Sequence, residues 1–315
     1  IGWLLCGRIS PGGTLARTIV LASLLAVGGL SLVAAGQPPA SGARTVKMQS
    51  LNVADNLYVL SGGGGNSLAL ITDKGVVLVD TKLAGWGAPM LDAIRGVSDA
   101  PVTTIINTHT HGDHTGGNPE FPTVVDIIAH DQTRANMTKL PAFSGAGSRF
   151  LPNKTFATTF SMLDGIDRID LHYFGAGHTD GDAVVVFPEK RVAHLGDLFP
   201  SKSAPIIDTA NGGSGLAYPD TLASAVAALK GVTTIVTGHT PIPSGSPVRG
   251  MTNIRDLQEY AEFTRDFLTA VREAFKAGKS ADEAAASLAL PERYKAYGME
   301  RAAANVRVIY EELRR

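Results

Sequence analysis

The stretch "NTHTHGDHTGG", residues 107–117, places three histidines and one aspartate within six consecutive positions. These side chains are His109, His111, Asp113 and His114. The apolar run "VTTIIN", residues 102–107, comes directly before them and is typical of a strand. Alternate residues of an extended chain share a side, so the first two histidines would point the same way, and Gly112 would let the chain turn before the other two. Because imidazole and carboxylate groups bind transition metals, the stretch predicts a metal site in which one segment can supply two ions.

Three more candidate ligands follow apolar runs later in the chain, and each stands beside a glycine. They are His178 in "GAGHTDGD", Asp197 in "AHLGD" and His239 in "TIVTGH". Alone, each would more often be a structural residue than a ligand. Loops at one edge of a sheet bring such groups together, so we expect these three residues to join the cluster at 109–114. The seven ligands would then suffice for two ions that share one. Asp197 is the natural shared ligand, because a carboxylate has two oxygens.

The motifs "HTHGDH", "GHTDGD", "GDLF" and "GHTPIP", in this order, resemble those of the metallo-β-lactamase fold superfamily over residues 52–243. The resemblance implies an α/β protein, a four-layer αβ/βα sandwich with its metals at one sheet edge. It implies that His109, His111 and His178 hold the first metal, that Asp113, His114 and His239 hold the second, and that Asp197 bridges them. Asp80, which ends the strand "VVLVD", matches a position that supports the ligands from behind.

One departure from the zinc β-lactamases concerns the shared ligand. Those enzymes have Cys or Ser where this chain has Asp197. An aspartate there is similar to the hydroxyacylglutathione hydrolases and lactonases. The resemblance therefore favours hydrolysis of other carbonyl compounds over true β-lactamase activity.

The implied activity is that of a hydrolase with two Zn²⁺ ions per chain, although iron and manganese suit the same ligands. A metal-bridging hydroxide would attack an ester, thioester, lactone or amide carbonyl, β-lactams included among the amides, and Asp113 would orient it as the catalytic residue. Tyr173 and Tyr218 are candidates for a general acid by their proximity in sequence. The alternatives are a metal-dependent phosphodiesterase and an iron-dependent redox enzyme of the same fold.

Substrate contacts are expected in the long loops around the predicted centre. The candidates are Lys82, Trp86, Arg149 and Lys202. The chain has 28 basic and 29 acidic residues, for a net charge of -1, so no broad cationic face for nucleic acid is indicated. The expected partner is a small-molecule substrate and not a nucleic acid, and the sequence leaves the oligomeric state open.

The N-terminal segment has the pattern of a secretory signal peptide. Arg8 and Arg17 precede the apolar stretch 18–35, and the first acidic residue of the chain is Asp55. This pattern predicts a periplasmic or secreted protein with no stable membrane span after signal removal, the alternative being an N-terminal membrane anchor. The only cysteine is Cys6, so a processed chain would have no disulfide and no thiolate ligand.

The rest of the chain divides into two parts by pattern. Residues 1–43 are the signal peptide and linker, residues 44–250 alternate strands and helices as a hydrolase domain would, and residues 251–315 form helices expected to pack on that same domain. Within the middle part, "TFATTFSML", residues 155–163, is predicted to be one strand.

Overall fold

The computed structural model describes residues 44–50, 56–124, 126–241 and 252–315, with the side chains of 48–50 left out. The predicted signal peptide and linker lie outside these residues. Within the described part of the chain, no helix combines the length and apolar character that a bilayer crossing needs.

Seven strands form the first sheet in sequence order. They are β1 (Lys47–Ser50), β2 (Leu57–Ser61), β3 (Ser67–Thr72), β4 (Gly75–Val79), β5 (Val102–Ile106), β6 (Asp126–His130) and β7 (Lys154–Phe156). The first four strands are antiparallel neighbours, and β4 to β7 run parallel. Parallel strands need crossover connections, which here include helix α1 (Gly87–Arg95), the single turn α2 (Gly112–Thr115) and helix α3 (Asp131–Met137).

Six strands form the second sheet in the order β13-β12-β11-β10-β9-β8. They are β8 (Thr159–Met162), β9 (Ile169–Tyr173), β10 (Ala183–Phe187), β11 (Val192–His194), β12 (Thr234–Val236) and β13 (Thr252–Asn253). β11 and β12 are parallel, and the other neighbouring pairs are antiparallel.

Alternation along the strands explains why the two sheets stack. Val77 and Val79 of β4 and Val185 of β10 are buried in one core between the sheets. Their neighbours point the other way: Val76 and Leu78 belong to a second core, which Met90 and Ile94 of α1 cover. Strands buried on both faces are expected to be continuously apolar, as the sequence of β4 is.

The outer face of the second sheet is covered by helices from the C-terminal third of the chain. These are α4 (Tyr218–Ala228), α5 (Ile254–Lys276), α6 (Ala281–Ala286) and α7 (Ala302–Leu313). The third core joins Val184 and Val186 of β10 to Leu257 and Tyr260 of α5 and Val306 of α7. The predicted helical stripe of α5 thus packs on the sheet through its apolar face. The resulting order of layers, helix–sheet–sheet–helix, confirms the predicted α/β sandwich.

The predicted single strand over residues 155–163 is wrong. The segment forms β7 in the first sheet and β8 in the second, with Ala157 and Thr158 between them. The apolar pattern gives no sign that the chain passes from one sheet to the other. Both short strands direct side chains into the same core between the sheets. Phe156 and Phe160 accordingly lie together there, with ring centroids 6.4 Å apart.

Candidate metal centre

The strand ends gather the predicted ligands at one edge of the sandwich. His109 and His111 follow β5, and His178, Asp197 and His239 follow β9, β11 and β12. Two groups of these side chains have ligand atoms within 4.8 Å of one another and could each hold a metal ion. The first group is His109, His111, His178 and Asp197; the second is Asp113, His114 and His239.

Asp197 lies between the two groups. Its Oδ2 is 3.8 Å from His178 Nε2 and 4.0 Å from His109 Nε2 in the first group. The same oxygen is 3.2 Å from His239 Nε2 in the second group, and Oδ1 is 3.4 Å from His114 Nε2. Both oxygens of this buried carboxylate therefore face ring nitrogens, one or more from each group.

Asp80 fixes the orientation of two of the rings. Its Oδ2 accepts hydrogen bonds from His114 Nδ1 and from the Thr108 hydroxyl, both at 2.7 Å, and its Oδ1 accepts from the Thr108 backbone N–H at 2.8 Å. Since that hydroxyl donates to Asp80, it is left to accept from His109 Nδ1 at 3.0 Å. Both histidines thus carry a proton on Nδ1 and direct Nε2 into the centre, with Asp80 contacting one ring directly and the other through Thr108.

His111 and His178 are oriented by groups that the sequence analysis did not single out. His111 Nε2 lies 2.7 Å from Asp208 Oδ2, and His178 Nδ1 lies 2.8 Å from the Ile206 carbonyl. Each outer nitrogen faces an acceptor, so each inner nitrogen carries a lone pair. These two inner nitrogens, His111 Nδ1 and His178 Nε2, are only 2.9 Å apart.

Buried atoms at the centre lack partners within the described protein. His109 Nε2 and Asp197 Oδ1 have no hydrogen bond. Buried polar groups are nearly always satisfied, and facing lone pairs repel unless a cation or proton lies between them. The donor set is therefore chemically suited to a divalent metal, with imidazole nitrogens and a carboxylate as the ligands that zinc prefers.

The buried histidines of the centre differ in the direction in which their pKa values are shifted. Burial lowers the pKa of His178 to about 4 and that of His109 well below its usual range. Burial also disfavours charge on His114, but the carboxylates of Asp80 and Asp197 outweigh it and raise the pKa of His114 well above its usual range. In turn His114 overcomes the effect of burial on Asp197 and holds its pKa well below the usual range. The ionised form of Asp197 is thus favoured by its neighbours.

Glycines allow the close packing around these ligands. A Cβ on Gly238 would collide with Asp197 Oδ1 and lie 2.9 Å from the Gly196 carbonyl. A Cβ on Gly65 would overlap the His114 ring. Glycine is required at these two positions, because a side chain there would displace the carboxylate of Asp197 or the ring of His114.

Replacing Asp80 by asparagine should weaken metal binding. Asparagine tolerates the left-handed backbone at this position, where φ is 61°, but its amide N–H₂ would face a donor where Asp80 now accepts. We expect the affinity for Zn²⁺ to fall roughly 10–100-fold, as loss of such a supporting contact does, in a competition titration against a chromophoric chelator. Asp92→Asn, at an exposed ion pair with Arg95 on α1, is the control; equal affinities of the two variants would contradict the role of Asp80.

The structure corrects the role predicted for Lys82. Its side chain is fully buried, and Nζ donates to the carbonyls of Leu60 at 3.0 Å and Gly65 at 2.7 Å. Burial lowers the pKa of this amine to about 7, although Asp80 and Asp113 oppose the shift. The backbone at Lys82 is left-handed, with φ 65°, and this turn directs the side chain inward. Lys82 therefore stabilises the loop behind the centre and is not available to a substrate.

The buried amine predicts a dependence of stability on pH. Between about pH 7 and pH 10 the unfolded chain, whose lysine has its ordinary pKa near ~10.4, binds a proton that folded Lys82 does not. Stability should therefore rise with pH in this window, and Lys82→Met should lose that part of the rise. The measurement is the free energy of unfolding in urea at pH 7, 8, 9 and 10. Lys74→Met, at an exposed position, should keep the wild-type slope, and a wild-type slope in Lys82→Met would refute the prediction.

The other predicted substrate residues do not line the cavity at the centre. Lys202 Nζ is 2.7 Å from Asp256 Oδ1 and turns toward α5. The ring of Trp86 packs on Gly63, where any Cβ would overlap it. Arg149 lines a separate depression and lies over the Phe150 ring at 4.6 Å. These positions correct the predictions, because a loop next to a ligand in sequence can still direct its side chains elsewhere.

The two tyrosines considered as general acids have other roles. The Tyr218 hydroxyl is buried and lies 3.1 Å from the carbonyls of both Asp197 and Leu198, to which it donates. Burial raises the pKa of Tyr218 well above its usual range. Tyr173 stacks on His130 with ring centroids 3.9 Å apart. Tyr218 therefore holds the backbone at Asp197, and neither residue lines the cavity.

A cavity of about 300 Å³ opens directly onto the centre. Its lining includes His111, Asp113, His178, Asp197 and His239. The rest of the described lining consists of loop residues after Asp197 and of Arg301, which precedes α7. Arg301 was missed by sequence reasoning, since no local pattern connects the end of the chain with the ligand motifs.

The layered fold, with a His/Asp cluster at the strand ends, defines a protein of the metal-dependent hydrolase type. The family model of the metallo-beta-lactamase superfamily matches residues 60–239, and the chain belongs to this superfamily. Membership supports an enzyme that binds divalent metal, and the cluster described above is its candidate site.

Two relatives illustrate the range of the similarity. The alpha subunit of 2,4-dinitroanisole O-demethylase from Nocardioides sp. (strain JS1661) is 30% identical over 158 residues, which are 46% of this chain and 44% of that protein. Metallo-beta-lactamase IND-1 from Chryseobacterium indologenes is 26% identical over 187 residues, which are 58% of this chain and 74% of that protein. The chain thus spans less than half of the first relative.

Solved structures share the fold at low identity. A double mutant of the sec-alkyl sulfatase PisA1 superposes with a TM-score of 0.69 at 15% identity, covering 85% of this chain and 50% of that one. A metallo-beta-lactamase from Pontibacter korlensis superposes with a TM-score of 0.58 at 18% identity, covering 70% of this chain and all (100%) of that one.

Proposed function

We propose that the chain is a secreted hydrolase that binds two Zn²⁺ ions and cleaves an ester, thioester, lactone or amide bond of a small molecule. His109, His111 and His178 would hold one ion, Asp113, His114 and His239 the other, and Asp197 would bridge them. The observation that carries the proposal is the 2.9 Å distance between His111 Nδ1 and His178 Nε2, whose lone pairs face each other. His109 Nε2 beside them has no hydrogen-bond partner. A cation bound by these three nitrogens would account for both features.

The bound ions would supply Lewis acidity and a hydroxide nucleophile near neutral pH. The chain's own residues divide the remaining work according to exposure. The Asp113 side chain is 29% exposed and lines the cavity, whereas that of Asp197 is 5% exposed. Asp113 can therefore orient the attacking water and exchange its proton with solvent. Asp197 is almost fully buried and would serve as a fixed ligand.

The shared aspartate supports carbonyl substrates other than β-lactams. Asp197 stands where the resemblance places Cys or Ser in the zinc β-lactamases. Hydroxyacylglutathione hydrolases and lactonases resemble this chain at that position, and we infer an acyl-ester, thioester or lactone substrate on this basis. Iron and manganese accept the same ligands, so metal identity is part of the test.

Metal analysis paired with a hydrolysis panel tests the proposal. The purified chain from Arg44 onward should contain about two metal ions per chain, which a dinuclear site requires. The panel comprises S-lactoylglutathione, a homoserine lactone, nitrocefin and bis-p-nitrophenyl phosphate. Turnover of the thioester or lactone supports the proposal. One iron per chain without hydrolysis, or turnover of the phosphodiester alone, would refute it in favour of the redox or phosphodiesterase alternative.

The proposal of secretion rests on the N-terminal sequence pattern alone. An apolar stretch over residues 18–35 follows Arg8 and Arg17. Expression of the full chain in a Gram-negative host, with N-terminal sequencing of the periplasmic fraction, should find a start shortly after Ala35. Recovery of the intact chain in the membrane fraction would instead indicate an anchor.

A further inference from the structure

The cavity beside the metal centre has a second wall that contains no predicted ligand. Its residues are Pro200, Ser201, Ser203, Ala204, Ile206 and Arg301. Five of these come from the loop after Asp197, and Arg301 comes from the C-terminal helical region. A substrate that fills the cavity with its reacting bond at the histidines would contact this wall.

Backbone hydrogen bonds fix Arg301 to the loop. Gly298 N–H donates to the Lys202 carbonyl at 3.1 Å, and Ala204 N–H donates to the Gly298 carbonyl at 2.8 Å. Ser203 and Gly298 thereby form a parallel bridge. The close approach suits glycine, because a Cβ on Gly298 would lie 3.1 Å from the Ser203 Cβ. The segment that carries Arg301 is thus attached directly to the cavity wall.

Two side chains hold the same loop from outside. The buried Asn305 of α7 donates through Nδ2 to the Pro205 carbonyl at 2.9 Å. Lys202 pairs with Asp256 of α5 at 2.7 Å. None of the residues in these two contacts lines the cavity, so the contacts position the wall without occupying it.

The Arg301 guanidinium has no ion pair or hydrogen bond to any residue that the structure describes. Apart from histidines, it is the one described side chain on the cavity lining that can carry positive charge. Its position at the start of α7 does not help the helix, because a cation at a helix N-terminus opposes the helix dipole. Neither an ion pair nor helix capping explains the residue.

Hydroxyl donors lie on the same wall. Ser201 Oγ and Ser203 Oγ are 2.9 Å apart, and both residues line the cavity with Arg301. A guanidinium presents a planar fork of N–H donors that matches a carboxylate, and serine hydroxyls can donate to the same group. The wall therefore combines positive charge with donors and has no acidic residue among its six described members.

We propose that Ser201, Ser203 and Arg301 bind the carboxylate of an anionic substrate, which makes Arg301 a specificity-determining residue. The inference rests on the proposed hydrolase function, because it assigns the acyl bond to the opposite side of the cavity. A substrate with a carboxylate a few bonds from its acyl carbon would span the two walls. Neutral acyl compounds would enter the same cavity without this anchor.

A matched pair of esters tests the proposal. The probes are 4-nitrophenyl hemisuccinate, which carries a carboxylate, and 4-nitrophenyl butyrate, which does not. In Arg301→Gln, kcat/KM for the hemisuccinate should fall roughly 10–100-fold, mainly through KM, as loss of a charge-assisted contact predicts. The butyrate should change less than about twofold, and Arg301→Lys should recover part of the loss. Arg307→Gln, on the same helix but paired with Asp282 at 2.9 Å, should behave as wild type.

Calorimetry with succinate keeps the test independent of turnover. The dissociation constant of succinate should rise by the same factor of roughly 10–100 in Arg301→Gln and stay unchanged in Arg307→Gln. An unchanged succinate affinity in Arg301→Gln would overturn the inference even if both esters are hydrolysed. Failure of the metal-loaded protein to hydrolyse any acyl compound would overturn the proposed function instead, while the succinate titration still decides the role of Arg301.

Discussion

Asp197→Ala should lose both bound metal and hydrolysis. The carboxylate has its two oxygens within 3.2–4.0 Å of four ring nitrogens, those of His109, His114, His178 and His239. Its removal leaves the two groups of imidazoles without a carboxylate between them. Two metal ions bound by these groups would then repel each other with no negative charge to offset the repulsion. We expect kcat/KM to fall roughly 10³-fold or more, beyond the 10–100-fold typical of a supporting residue, with metal content per chain reduced in the same preparation.

Two variants separate the charge of Asp197 from its shape. Asp197→Asn keeps the volume and one oxygen and should show a large but smaller loss. Asp220→Ala, at an exposed acid in the first turn of α4, should match wild type in both measurements. A tenfold loss of activity is a change that one weak contact could explain. If Asp197→Ala keeps its full metal content and an activity within about tenfold of wild type, the shared-ligand assignment is contradicted.

The strand ends explain why so much of the centre could be predicted from sequence. β4, β5, β11 and β12 are short apolar runs that end beside glycines and polar residues, and this is a local pattern. Parallel neighbours such as β11 and β12 bring the residues after them to the same edge without any further information. The candidate ligands from His109 to His239 are therefore recognisable by their position after strands, whereas the four-layer sandwich was implied by the resemblance to the superfamily.

The pattern at the strand ends does not predict contacts between loops. Asp208 supports His111 from a loop 97 positions away, and nothing in the surrounding "IIDTAN" distinguishes it from a turn residue. Thr108 is adjacent to a ligand, yet its role depends on the position of Asp80 across the strands. Both residues act through hydrogen bonds that exist only once the sheets have formed.

The errors about lysine and arginine have one physical origin. Charged residues are almost always exposed, so Lys82 was predicted to contact substrate, although two backbone carbonyls allow its burial. Conversely Arg301 follows no motif, and the bridge between Ser203 and Gly298 that brings it to the cavity joins distant segments. Side-chain direction in loops depends on such tertiary contacts, which composition and spacing do not encode.

Phe263→Ala should strongly destabilise the fold and loosen the cavity wall. The ring is fully buried at the middle of α5 and contacts Tyr297 and Tyr294, with centroids 4.5 Å and 5.2 Å away. Truncation of a buried phenylalanine costs roughly 3–5 kcal/mol, since it removes apolar contact and leaves a cavity. The free energy of unfolding in urea should fall by that amount, and the melting temperature by roughly 6–20 °C for a unit of this size.

Phe275→Ala provides the matched control on the same helix. That ring is only partly buried and meets Tyr310 edge-on at 5.1 Å, so its truncation should cost clearly less. Because Tyr297 directly precedes Gly298, whose backbone holds the loop of Ser203, Phe263→Ala should also raise the dissociation constant of succinate while the protein is still folded. Equal destabilisation by the two variants, with succinate affinity unaffected in both, would show that the C-terminal helices pack on the sheet without supporting the wall that carries Arg301.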